Sequence, residues 1–264
     1  MSDILRFYCD TPDGQLHARR LQAIERKRPP LYCLHPAPTS GLYFTTVMPL
    51  LNRHRDVIAP DYPGYGSSDS APAEPSIADY ATALGYLLDA DDAPVDILGF
   101  HTGCLVAAEI ALARPQAVRR IVLCDVPYFT ADVRDGLREK MARPLPIGPE
   151  LDSLAAAWDF SVASRLEHVA LPRAFELFVE HLRAGIDDHL AFAAAFSYDC
   201  ESRFAELDAD VVVLATDSGM LHATRDAARA IKGATLVDVP EVTTAVFEAG
   251  AQPISQRILA ALED

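Results

Sequence analysis

The stretch Val95-Asp96-Ile97-Leu98-Gly99-Phe100-His101-Thr102-Gly103-Cys104-Leu105-Val106-Ala107-Ala108-Glu109 constrains this chain more than any other. An apolar β-type run stops at Gly99, a polar side chain follows two places later, Gly103 comes two after that, and an alanine-rich helical pattern begins. The expected local structure is a strand, a sharp turn and a helix. Small residues on either side of position 101 let the helix pack tightly under a strained turn and lift the central side chain above the sheet. That side chain is a histidine.

The rest of the chain reads as a sheet into which this unit fits. Residues 4 to 9 and 15 to 23 are alternating runs joined by Thr11-Pro12-Asp13-Gly14, whose Asp-Gly favours a tight turn, so they predict an antiparallel edge hairpin. Leu31-Tyr32-Cys33-Leu34, Asp56-Val57-Ile58-Ala59-Pro60 and Arg120-Ile121-Val122-Leu123-Cys124-Asp125 are continuous apolar runs suited to strands buried on both faces. Thr39 or Ser40 can cap a helix through about Leu51, and Ser76 one from Ile77 to Asp89. Strands alternating with helices predict parallel pairing, right-handed crossovers and a ligand site at the carboxyl ends of the strands, where His35, His101 and Asp125 all fall.

The alternation stops at about Pro127 and restarts with the run from Asp210 to Thr216, a helix near 222 to 232, a strand from Ala234 to Val239 and a last helix over about 251 to 262. Between 127 and 200 the pattern is helical, broken at Pro144-Leu145-Pro146-Ile147-Gly148-Pro149 and at Leu171-Pro172. Trp158, Phe160, Phe175, Phe178, Phe192 and Phe196 recur along it, as contacts to the sheet or as the lining of a site. The expected organisation is a core of residues 1–126 and 201–264 and a helical cap over 127–200.

At 264 residues with 50% hydrophobic content the chain can bury the core of one large α/β domain. A formal charge of −15 disfavours nucleic acid and anionic membrane surfaces, and makes a small neutral or cationic molecule easier to accept. The five cysteines, Cys9, Cys33, Cys104, Cys124 and Cys200, are odd in number and form no Cys-x-x-Cys pair, which reads as reduced thiols. With no basic region leading into a long apolar run at the N-terminus, the expectation is a cytoplasmic protein, with homo-oligomerisation left open. The histidines show no metal-ligand spacing and no phosphate-binding glycine loop is visible, so no metal or cofactor is expected.

Two segments carry a resemblance. Gly99-Phe100-His101-Thr102-Gly103 resembles the nucleophile elbow of the α/β-hydrolase superfamily, and Asp61-Tyr62-Pro63-Gly64-Tyr65-Gly66-Ser67-Ser68-Asp69 is similar to its Asp-x-x-Gly-x-Gly-x-Ser segment. The resemblance covers nearly the whole chain. It implies an α/β-hydrolase fold, with a mostly parallel eight-stranded sheet, helices on both faces and a helical cap. It also implies a Ser, Cys or Asp at 101, an acid near Gly219, where only Asp217 is close, and a histidine where Thr244 stands. All three usual triad positions are changed. By the same resemblance His35 shapes the oxyanion turn, and Ala37 and Thr102 supply its amides, with Pro36 in place of the usual glycine. Asp125 takes the place where some members carry their acid.

The candidate catalytic residues are therefore His101 and Asp125, with Ala37, Thr102, His35 and Thr244 around the substrate. A histidine beside an aspartate can exchange protons near neutrality, and the carboxylate is expected to raise the imidazole's pKa. Three readings remain open. One is cofactor-free acid/base chemistry on a small organic molecule, of the lyase, decarboxylase or isomerase kind; another is an atypical hydrolase in which His101 activates water. The third is an inactive hydrolase fold that binds a ligand or regulates. Asp125 as a mere strand terminus and Cys104 as helix packing are the bland alternatives.

Overall fold

The computed structural model describes residues 3–144 and 148–263, apart from the side chain of Ser153. Leu145, Pro146 and Ile147, the middle of the proline-rich break, lie outside the described residues. In chain order the elements are β1 (Leu5–Thr11), β2 (Gly14–Leu21), β3 (Leu31–Leu34), α1 (Met48–Leu51), β4 (Val57–Pro60), α2 (Ile77–Leu88), β5 (Val95–Phe100), α3 (Thr102–Ala113) and β6 (Val118–Cys124). Then come α4 (Ala131–Met141), α5 (Ala155–Ser161), α6 (Leu171–Arg183), α7 (Leu190–Ser197), α8 (Cys200–Ala205), β7 (Val211–Thr216), α9 (Leu221–Ala230), β8 (Thr235–Val239) and α10 (Ala251–Glu263).

The eight strands form one sheet in the order β1-β2-β4-β3-β5-β6-β7-β8. β1, β2 and β4 pair antiparallel, and every other neighbouring pair is parallel. The hairpin turns within Thr11–Gly14 as expected, with Thr11 paired to Gly14 and Pro12 and Asp13 as the two loop residues. Continuous apolar runs are what a sheet covered on both faces requires: in β5, Val95 and Ile97 point into one core and Leu98 and Phe100 into the other. In β6, Ile121 and Leu123 oppose Val122 and Cys124 in the same way. The helices α2 and α3 cover the first face, while α1 and α10 cover the second.

Ser76 caps α2 in a reciprocal box with Asp79, its hydroxyl accepting from the Asp79 amide at 3.2 Å while the Asp79 carboxylate accepts from the Ser76 amide at 2.8 Å. The helix expected from Ser40 to Leu51 is instead broken. Ser40 caps only a short 3₁₀ turn over Gly41–Phe44, and α1 starts afresh at Met48. The β-branched run Thr45-Thr46-Val47 and Pro49 at the first turn of α1 account for the break.

Between β6 and β7 the described residues contain helices and no strand. This helical insertion has a small apolar centre of its own, made of Ala157, Val162, Val169, Ala174 and Phe178. No helix among the described residues is long and apolar enough to cross a membrane.

Candidate active site

His101 sits at φ 48°, ψ −117°, outside the regions that an L-residue normally occupies, and is the residue from which α3 starts. The backbone around it explains the two glycines. A Cβ on Gly99 would lie 2.6 Å from the Gly103 carbonyl oxygen, and one on Gly103 would lie 2.0 Å from the Leu34 carbonyl oxygen. Helix α3 therefore rests directly on β3 and β5, and that contact holds the histidine in a conformation costing about 1–3 kcal/mol.

The elbow opens into a cavity of about 630 Å³ between the strand ends and the helical insertion. His101, Asp125, Ala37, Thr102 and Thr244 all line it. His35 does not. It is fully buried one layer below, stacked on Tyr62 with ring centroids 3.9 Å apart. Its Nε2 accepts from the Tyr62 amide at 3.2 Å, so its Nδ1 carries the proton and donates to the Pro36 carbonyl at 3.0 Å. Burial pushes its pKa down to about 4. His35 thus braces the turn that carries Ala37 and cannot touch substrate.

The Ala37 amide donates to the Thr102 hydroxyl over a long 3.4 Å, and the Thr102 amide, first in its helix, has no intrahelical acceptor. Ala37 and Thr102 both line the cavity together with His101. The histidine itself packs edge-on against Phe100, and its imidazole makes no hydrogen bond among the described residues. Burial, aided by the positive charge of Arg165, pulls its pKa below the ordinary 6.5, while Asp125 pulls the other way. The expected upward shift is overturned, because desolvation of the ring outweighs the carboxylate's field.

Asp125 is fully buried, with φ 52°. Its carboxylate accepts from the Thr216 hydroxyl at 2.8 and 2.9 Å and from the Ser218 hydroxyl at 2.9 Å. Those two hydroxyls lie at the end of β7 and just beyond it, so the carboxylate is oriented by the neighbouring strand and acts on His101 through space. Sequence reasoning passed over Thr216 and Ser218; hydroxyl residues closing the strand beside Asp125 were the available signal. Cys104 is packing, as its buried Sγ lies 3.3 Å from the Cys124 carbonyl.

The insertion contributes more than aromatic walls. Phe160, Phe192 and Phe196 line the cavity, but so do Ser161, Ser164, Arg165, His168 and His181. Arg165 stacks its guanidinium over Phe160 at 5.6 Å and pairs with no carboxylate among the described residues. Its charge is felt at both Tyr43 and His101. His222 is exposed and away from the cavity. Among the described residues no three His, Cys, Asp or Glu side chains gather as metal ligands.

A parallel-centred sheet with a glycine-flanked turn under a helix-roofed cavity is the architecture of a hydrolase-type α/β protein. The family model described as "alpha/beta hydrolase fold" matches residues 29–179, and the chain belongs to that family. It is 34% identical over 104 residues to 2-hydroxy-6-oxo-2,4-heptadienoate hydrolase of Pseudomonas putida, covering 39% of this chain and 38% of that one. It is 32% identical over 117 residues to 2-hydroxymuconate semialdehyde hydrolase of a Pseudomonas species, covering 41% and 40%. The chain spans about two fifths of the length of the curated relatives it matches. Among solved structures, a hydrolase from Pseudomonas aeruginosa superposes with a TM-score of 0.80 over 98% of both chains at 23% identity, a likeness of fold.

Proposed function

We propose that this chain is a cofactor-free enzyme that moves a proton on a small organic molecule bearing a carbonyl and an anionic group. The observation that carries the reading is the imidazole of His101: held on the elbow, neutral at physiological pH, and without a hydrogen-bond partner among the described residues. A neutral imidazole with a free nitrogen is a general base. It takes a proton from a water set beside the substrate carbonyl, or from a carbon next to that carbonyl, and returns it to the leaving atom.

In this reading the amides of Ala37 and Thr102 receive the negative charge that develops on the carbonyl oxygen. Asp125 steadies the imidazolium once it forms. Thr244 closes the wall where the superfamily's histidine would stand, and the helical insertion over 127–200 serves as the cap. Arg165 gives the apolar cavity one positive end, which fits a carboxylate better than the neutral or cationic molecule that the chain's net charge favours. The names of the two Pseudomonas hydrolases, a dienoate and a muconate semialdehyde, describe carboxylates with a carbonyl, and water as the proton donor and attacking group is the variant they support.

The test is turnover of small oxo-acids and their esters by the native protein and by His101→Gln and Asp125→Asn. His101→Gln is expected to lose about 10²–10⁴ in kcat. Because the folded pKa of His101 is below 6.5, activity should hold through neutrality and fall only as acid protonates the ring. Asp125→Asn should move that acid limb to still lower pH, since it removes the charge that pulls the pKa up. Ligand binding with no turnover by the native protein would make the chain a binding protein instead, and turnover unchanged by His101→Gln would remove His101 from the reaction.

A further inference from the structure

A second hydrogen-bonded constellation faces the same cavity from the opposite side. Ser161, the last residue of α5, places its Oγ 3.0 Å from Nδ1 of His181 on α6. The other ring nitrogen, Nε2, lies 2.9 Å from Oδ2 of Asp188. All three residues are at least nine-tenths buried, and Ser161 and His181 form part of the cavity wall.

The chain builds this arrangement locally. Helix α6 ends at Arg183, and Gly185, at φ 62°, turns the backbone so that Asp188 comes back beside the His181 that lies seven residues earlier. Two ties to the core fix the pair in place. Glu180 accepts from the Ser40 hydroxyl at 2.5 Å, and the Asp188 carbonyl accepts from the Tyr65 hydroxyl at 3.1 Å.

The polarity is that of an activated hydroxyl. Asp188 is acceptor-only when ionised, so Nε2 carries the ring proton and Nδ1 is left to accept from the Ser161 hydroxyl. A serine, a base within hydrogen-bond reach and an acid orienting the base are the three parts such chemistry needs. The elbow lacks all three at its usual positions.

We propose that Ser161 is a second nucleophile of this protein, independent of His101, taking acyl groups from small uncharged esters. The Ser161 Oγ attacks the ester carbon while its proton passes to His181 Nδ1, and Asp188 steadies the resulting imidazolium. The carbon–oxygen bond to the leaving group breaks, the alcohol departs with that proton, and Ser161 is left acylated. A water then gives its proton to His181 and attacks the acyl carbon, so that acid is released and the proton returns to Ser161. The sum is ester plus water giving acid plus alcohol. Arg165, on the turn that follows Ser161, is the cation of this wall.

A fluorophosphonate probe tests the site, since attack by an activated serine forms a phosphorus–oxygen bond and expels fluoride. Peptide mass spectrometry of the labelled full-length protein should place the adduct on Ser161. Ser161→Ala, checked for native circular dichroism and thermal midpoint, should carry no adduct. Asp188→Asn should slow labelling by about 10²–10⁴-fold. His101→Gln should label at Ser161 as the native protein does, which separates this site from the one at the elbow. A native protein that stays unlabelled, or an adduct on a different serine, overturns the proposal without any variant; so does a folded Asp188→Asn that labels at the native rate.

Discussion

The elbow and the helical insertion border one cavity and are held together by different forces. At the elbow, backbone meets backbone: Gly99 and Gly103 allow α3 to lie on β3 and β5 at distances that no side chain would tolerate. The residues of β5 and the first ten of α3 are buried throughout. Among the described residues of the insertion, the apolar cluster separate from the sheet's two cores holds five buried residues, and Leu171, Phe175 and Ile186 remain exposed. Its inner wall is instead ordered by polar pairs such as Glu180 with Ser40 and His181 with Asp188. The contrast lies in what holds each side: backbone contact leaves the elbow no room to vary, whereas side-chain pairs order the wall of the insertion.

The sharpest way to break that contrast is Gly103→Ala. Its Cβ would lie 2.0 Å from the Leu34 carbonyl oxygen, and neither strand nor helix can yield, so a loss of about 4–5 kcal/mol or no folded protein is expected in chemical denaturation. Replacement of Ser161 by alanine in the insertion should cost far less, about 1–3 kcal/mol at most, on the same measurement. If the two proved equal, the contrast would fail.

The acid stability of the core supplies the next test. His35 has a folded pKa of about 4 against 6.5 for an ordinary histidine, so its contribution is fully present above pH 6.5 and is lost as pH falls towards 4. Unfolding measured across that window should show a decline of about 3 kcal/mol at most from this group, and a variant with glutamine at position 35 should show a shallower slope. His101 acts in the same direction, because its pKa is also lowered.

Smaller again is Arg165→Met. A half-buried guanidinium without a carboxylate partner contributes little to folding, so the thermal midpoint should move little. If Arg165 receives the substrate's anionic group, KM should rise about tenfold with kcat nearly kept, the loss of about 1.5 kcal/mol expected for a charged hydrogen bond. The smallest effect belongs to Ser76→Ala, which removes the cap of α2 and should lower stability by about 1 kcal/mol without touching turnover.

Patterning alone identified the sheet, the hairpin, the elbow and the strandless insertion, because period-2 burial, glycine at close approach and helix capping are local demands written into consecutive residues. It also placed His101 and Asp125 at strand ends, while the resemblance to the hydrolase superfamily supplied Ala37, Thr102 and Thr244, and all five line one cavity. It misjudged the helix after Ser40, where a β-branched run outweighed a good cap, and it set His35 too near the substrate.

What the sequence determined by itself is the scaffold and the point at which a side chain is presented. The tertiary structure decided the electrostatics: that burial depresses His101 despite Asp125, that Thr216 and Ser218 occupy the carboxylate, and that Arg165 enters from the insertion. It also brought Ser161, His181 and Asp188 into hydrogen-bond reach. Periodicity reports which face of an element is buried, whereas a pKa or a hydrogen bond depends on groups distant in the chain that only the packed fold places a few ångströms apart.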